Sequence, residues 1–184
     1  LGAVMRLALS GRLPRDEIAA EIERQLDRFC EAAGREPDFV DGHQHVQILP
    51  GIRSTLLVAL ARRGWAGRVW IRDSSDRIAS ILARRIAAPK ALLVHGLSLG
   101  FGEAARRAGF VTNEGFSGYS PFDPARAVGP DMERHLSALG PRPLVMCHPG
   151  GESGDASDEI AAARVAEFAY LASPAFADLL ERRG

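Results

Sequence analysis

The chain has 184 residues, its 23 Lys and Arg balance its 23 Asp and Glu, and 46% of its residues are hydrophobic. That length fits a single globular domain, the apolar fraction supports a sizeable core rather than wholesale disorder, and zero net charge disfavours a nucleic-acid partner, which would require surplus Lys and Arg. No apolar run approaches the roughly 18 residues of a transmembrane span, and the start does not read as a signal peptide.

In chain order, Pro14 precedes Ile18, Ile22, Leu26 and Phe29 at helical spacing, with Gly34 behind them, which predicts a helix over 15–33. Over 37–49, Val40, Val46 and Ile48 share one parity while Asp41, His43, His45 and Gln47 share the other, which predicts a strand running into a loop. A second helix is expected from Pro50-Gly51 to Arg63, closed by Gly64, followed by a short apolar strand over 68–72. Asp73-Ser74-Ser75 can cap a third helix reaching about Ala88. Glycines 96, 100 and 102 weaken any helix over 90–108, where only 104–108 reads as firmly helical. A strand end over 110–113, a Gly, Ser and Pro-rich loop over 114–124, a helix over 132–139, a strand over 143–147, a loop over 148–157 and a helix over 158–171 complete the pattern. Strand and helix alternate, so the predicted class is α/β with mostly parallel strands.

The most informative stretch is Asp41-Gly42-His43-Gln44-His45. In an extended strand, Asp41, His43 and His45 would project from one face about 7 Å apart, an arrangement suited to a divalent cation or, equally, to two hydrogen-bonded histidines at a strand end. Met146-Cys147-His148-Pro149-Gly150 places His148 at the carboxyl end of a strand, where α/β folds build their sites; it reads as a general acid, a ligand or a turn-capping residue. Arg72, also at a strand's carboxyl end, could hold an oxyanion or polar substrate, or simply lie exposed beside Asp73. The loop from Asn113 through Phe116 to Tyr119 mixes aromatic and small polar residues, as a carbohydrate-contacting loop or an ordinary loop would. Cys147 and His148 are adjacent and would point to opposite faces of a strand, so Cys147 is expected as a small buried residue rather than a nucleophile; His95 and His135 are expected to be structural or surface residues. Cys30 and Cys147 form neither a disulfide framework nor a zinc spacing, and a reducing cytoplasm is the expected setting.

Phe39-Val40-Asp41-Gly42-His43-Gln44-His45-Val46, Lys90-Ala91-Leu92, Thr112-Asn113-Glu114-Gly115-Phe116 and Leu144-Val145-Met146-Cys147-His148-Pro149-Gly150 follow one another in this order. Together they resemble the YdjC-like carbohydrate deacetylases, a group that includes chitooligosaccharide and hopanoid-biosynthesis-associated deacetylases. The resemblance implies a TIM-like α/β barrel and hydrolysis of the acetamide of an N-acetylated sugar or glycolipid with a divalent cation, Mg or Zn. It implies metal ligation by His43 or His45, with His43 first, and proton delivery to the leaving amine by His148; Asp41 is the candidate catalytic carboxylate, although the family's own carboxylates lie in a motif this chain lacks. Arg72, Asn113 and Phe116 are the candidate substrate-binding residues. The family also opens on a strand with an Asp-Asp-Phe-Gly motif and carries a later His-Leu motif, neither of which occurs here. The chain starts at Leu1 rather than Met, and closed α/β barrels take about 250 residues. The expectation is therefore a barrel without its N-terminal strands, whose open sheet edge could pair in a homodimer. A non-catalytic sugar-binding or assembly module on the same fragment is the alternative.

Overall fold

The computed structural model describes residues 2–152, 154–155 and 157–183. The elements run α1 (Gly2–Leu9), α2 (Arg15–Ala33), β1 (Phe39–Val40), a 3-10 segment (His43–Ile48), α3 (Ile52–Arg62), β2 (Trp70–Ile71), α4 (Ile78–Arg84), α5 (Ala88–Ser98), α6 (Phe101–Arg107), β3 (Val111–Thr112), β4 (Phe116–Ser117), α7 (Val128–His135), β5 (Leu144–Val145), α8 (Ala161–Leu171) and α9 (Pro174–Arg183). They form two compact units, one of Leu1–Ser75 with Val94–Asn113 and the other of Asp76–Leu93 with Glu114–Gly184.

The first unit is built on a parallel sheet ordered β1-β2-β3, with Phe39 opposite Trp70 opposite Val111 and Val40 opposite Ile71 opposite Thr112. Ile71 and Thr112 are buried, while Phe39 and Val111 on the other parity are exposed. Helix α2 follows the predicted bounds: Asp16 and Glu17 favour its positive N-terminal end, and Gly34 closes it in the left-handed conformation, donating its N–H to Cys30 O. It packs on α3, and Arg63, just beyond α3, reaches Glu23 and Asp27 of α2 at 2.5 and 2.6 Å. Ala8, Leu49 and Ile52 form a small core that tethers α1, an element the sequence pattern did not suggest.

The predicted strand through Asp41, His43 and His45 is not formed. Extended pairing stops at Val40, and the chain tightens into the 3-10 segment, in which Gln44 and His45 adopt left-handed φ of 53° and 63°. Gly42 makes this turn possible, since a Cβ there would lie 2.8 Å from Gln47 N. The alternation of side chains is lost with the extended backbone: His43 is exposed and His45 buried. Likewise Asp73-Ser74-Ser75 does not cap α4. Asp73 Oδ1 instead accepts the Ser75 N–H at 3.0 Å in an Asx-type turn, and α4 begins after Arg77.

In the second unit β4 pairs in parallel with β5, Phe116 opposite Leu144 and Ser117 opposite Val145. The segment over 114–124, read from sequence as loop, thus contains a strand. Helix α7 starts four residues before its predicted onset, and α7, α8 and α9 pack on one another. Gly118 follows β4 at φ 98°, and a Cβ there would sit 2.6 Å from Met146 N and closer still to Met146 O. Gly118→Ala is expected to destabilise by roughly 1–2 kcal/mol from backbone conformation alone, with the overlap adding more, as a lowered urea midpoint will register. Among the described residues the strands form these two small sheets and no closed barrel, so the architecture is a mixed α/β fold with few, parallel strands.

Candidate functional site

The three parallel strands of the first unit end together, and the residues that follow them, Asp41, Arg72-Asp73 and Asn113, lie side by side at their carboxyl edge. Arg72 is 4% exposed, and its Nη2 donates to Gly42 O at 2.8 Å and pairs with Asp41 Oδ1 at 2.6 Å. Partial burial pushes the Asp41 carboxyl above its ordinary value, against the opposing pull of the Arg72 guanidinium. Asp73 N donates to Asn113 Oδ1 at 2.7 Å while Asn113 Nδ2 donates to Asp73 O at 2.8 Å, so the Asn113 amide ties β3 to the end of β2. Burial also raises the Asp73 carboxyl, whose partner Ser75 and the Arg106 charge act in the other direction.

The 3-10 segment sits over this edge. His45 Nδ1 lies 3.0 Å from Ser74 Oγ, and Gln47 Nε2 donates to Arg72 O at 3.2 Å and to Ser74 Oγ at 3.3 Å. His45 thus belongs to a buried polar network, whereas His43 stands exposed, near enough to Asp41 for their charges to interact. Among the described residues no group of three His, Cys, Asp or Glu is placed to hold a metal ion. His43 and His45, turned apart by the left-handed turn, do not fit a cation site by themselves.

In the second unit, β5 ends at Val145 and leads through Met146 and Cys147 to His148, which is half-buried. The Phe122 ring meets the His148 imidazole edge-on at 4.8 Å between centroids, and Lys90 Nζ sits 4.9 Å from the centre of the Phe122 ring. The His148 backbone N–H donates to Glu167 Oε1 of α8 at 2.9 Å. Cys147, expected to be buried, is half-buried, and its thiol is pushed up to about 11 by burial and by the Glu167 charge. Phe116, a candidate substrate contact, is 1% exposed and packs edge-on against Tyr119 at 5.3 Å.

Beside this loop a shallow cleft is lined by Gly118, Arg126, Asp131, His135 and Glu167 among others. His135 is buried, accepts the Gly118 N–H on Nδ1 at 3.3 Å, and is lowered from 6.5 to about 4, chiefly by burial, with Asp131 opposing and Arg84 and Arg126 adding to the shift. Its folded value lies below the unfolded one, so between pH 6.5 and 4 the unfolded chain takes up a proton that the native fold refuses. Stability from this residue is complete above about pH 6.5 and falls by about 3 kcal/mol as the pH drops to about 4. Urea unfolding of the wild type and His135→Gln at pH 7 and 4.5 is expected to show the variant losing less of its stability on acidification.

Glu167, Phe122, Gln47 and Ser74 were not singled out by sequence. A glutamate in an amphipathic helix and a phenylalanine in a Pro-rich loop carry no local signal of what they face; only the tertiary fold brings them to His148, as it brings Gln47 and Ser74 to His45 and Arg72.

The sequence profile of the YdjC-like proteins matches residues 2–182. The chain belongs to the YdjC-like family. This YdjC-like chain is 42% identical over 66 residues to a chitooligosaccharide deacetylase of Enterobacter sp. (strain 638), a match covering 36% of the chain and 26% of that relative. It is 44% identical over 86 residues to a carbohydrate deacetylase of Mus musculus, covering 41% and 28% respectively, and 42% identical over 55 residues to a carbohydrate deacetylase of Danio rerio, covering 30% and 18%. The matched segments thus span between 18% and 28% of these curated relatives. No solved structure matches the chain.

Proposed function

We propose that the protein containing this chain hydrolyses the acetamide of an N-acetylated carbohydrate, with His148 as the general acid. The observation that carries the reading is the placement of His148: an imidazole at the carboxyl end of a parallel strand, its backbone tied to Glu167 and its ring packed on Phe122, in a chain whose relatives bear the names of carbohydrate deacetylases. In the reaction, water adds to the acetyl carbonyl carbon, the C–N bond breaks, and acetate leaves as the nitrogen takes a proton to depart as an amine. His148 supplies that proton, which removes the barrier of expelling an amide anion. Within the first unit, Arg72, held at its own strand end by Gly42 and Asp41, is proposed to bind polar groups of a carbohydrate, and Asp41 is proposed as a catalytic carboxylate.

The same reading takes the fold as part of a TIM-like barrel and the setting as the cytoplasm, consistent with two free thiols; among the described residues no helix is long and apolar enough to cross a membrane. The divalent cation that the family resemblance implies finds no fitting donor set among the described residues, where an exposed His43 and a buried His45 are turned apart, so no step of the proposed reaction is assigned to it. Offering N-acetylglucosamine oligomers and O-acetylated sugars to the full-length protein separates amide from ester chemistry. Acetate from the N-acetylated oligomers and little from the esters is the expected result; acetate from the esters alone overturns the assignment.

A further inference from the structure

Glu167 is one of the few buried carboxylates of the described residues, 9% exposed on α8, and the reaction assigned above makes no use of it. Burying a carboxylate is costly unless hydrogen bonds compensate it, and here a compensating donor is a backbone N–H of the loop that carries His148. Glu167 Oε1 accepts the His148 backbone N–H at 2.9 Å. Burial pushes the carboxyl up while the His148 N–H pulls it down, so the contact made to the loop is one that favours the charged form.

One turn back on α8, on the same helical face, Arg164 holds the other end of the loop. Gly150 N donates to Arg164 O at 3.2 Å, and the Arg164 guanidinium fills the place a Cβ would take at Gly150, its Nε 2.7 Å away. Arg164 is itself anchored by Asp158 at 2.9 Å. Pro149 between the two tethers has a fixed φ and cannot absorb a shift. The three-residue span His148-Pro149-Gly150 is therefore fastened at both ends to one helix, with the Phe122 ring against the imidazole.

We propose that Glu167 is a positioning residue for His148: its buried carboxylate, acting as a hydrogen-bond acceptor rather than a proton donor, fixes the backbone from which the imidazole reaches its substrate. The proposal rests on the reading of His148 as the general acid. A misplacement on the order of 1 Å at a reacting group costs about 10²-fold in rate, so releasing this tether acts on turnover more than on binding.

The test uses the full-length protein and three variants, Glu167→Ala, Glu167→Gln and the double variant His148→Ala with Glu167→Ala. Amide hydrogen exchange at His148 is read beside acetate release from N-acetylglucosamine oligomers, and circular dichroism checks that each variant folds. Glu167→Ala is expected to speed exchange at the His148 amide by about tenfold or more and to lower kcat by about 10- to 100-fold, with KM changed less than about twofold. Glu167→Gln retains a side-chain carbonyl oxygen as acceptor and is expected to keep kcat within about threefold of wild type. On the His148→Ala background, Glu167→Ala is expected to cost nothing further. Unchanged exchange in Glu167→Ala overturns the proposal. So does a Gln variant as impaired as the Ala variant, which would assign the carboxyl a proton-transfer role, and so does an undiminished loss in the double variant. Should the wild type release no acetate, the reading of the reaction fails, and amide exchange alone then decides whether Glu167 holds His148.

Discussion

Replacing His148 with Ala is expected to lower kcat for acetate release by about 10²- to 10⁴-fold, the usual contribution of a positioned general acid, while changing stability by less than about 1 kcal/mol. The separation of the two effects follows from where the side chain sits. His148 is only half-buried and packs edge-on against the Phe122 ring, so its removal leaves no large cavity. The loop remains tied through the backbone to Glu167 and Arg164, contacts that an alanine at 148 preserves. Steady-state kinetics with a thermal melt on the same preparation checks both halves of the expectation. Cys147 provides the internal contrast, since a thiol pushed up to about 11 is not a nucleophile at neutral pH, and Cys147→Ala is expected to retain kcat within a few-fold.

The largest stability effect is expected at Arg84, where substitution by Met removes about 3–5 kcal/mol, measurable as a fall in the urea midpoint. Arg84 and Asp76 lie within the second unit with side chains 5% and 2% exposed, and Nη1 meets Asp76 Oδ2 at 2.5 Å. The remaining donors are also used: Nε donates to Ser137 O and Nη2 to Ala138 O, both at 3.0 Å. Methionine fills much of the volume but leaves a buried carboxylate without its counter-charge and the Phe116, Ser137 and Ala138 carbonyls without this donor, and each unsatisfied group carries a desolvation cost. Combining Arg84→Met with Asp76→Leu is expected to recover part of the loss, because the penalty comes from breaking the pair more than from lacking it.

Local signals that depend on a few adjacent residues were legible in the sequence. Helix α2 kept its predicted bounds because its apolar spacing, acidic first turn and terminal glycine act within one segment. The strands at 70–71, 111–112 and 144–145 were also anticipated, as short apolar runs leading to polar ends, and these ends are where Arg72, Asn113 and His148 are found. The DGHQH segment misled because period-two alternation presupposes an extended backbone. Gly42 and the left-handed Gln44 and His45 turned the chain instead, separating an exposed His43 from a buried His45. Glycines counted against a helix over 90–108 proved to matter at only one point, since Gly96 and Gly102 lie inside α5 and α6, and Gly100 alone, at φ 77°, breaks the run between them. Contacts such as Glu167 with His148 and Arg84 with Asp76 join residues whose types and spacing give no hint of each other, and they emerge only from tertiary packing.

The most direct measurement of the central claim is quantitative acetate and free-amine release from N-acetylglucosamine oligomers by the full-length protein. Equal amounts of acetate and new amine, formed in proportion to enzyme, are predicted. Intact oligomers after prolonged incubation with folded protein and added Mg or Zn, or acetate without matching amine, would contradict it.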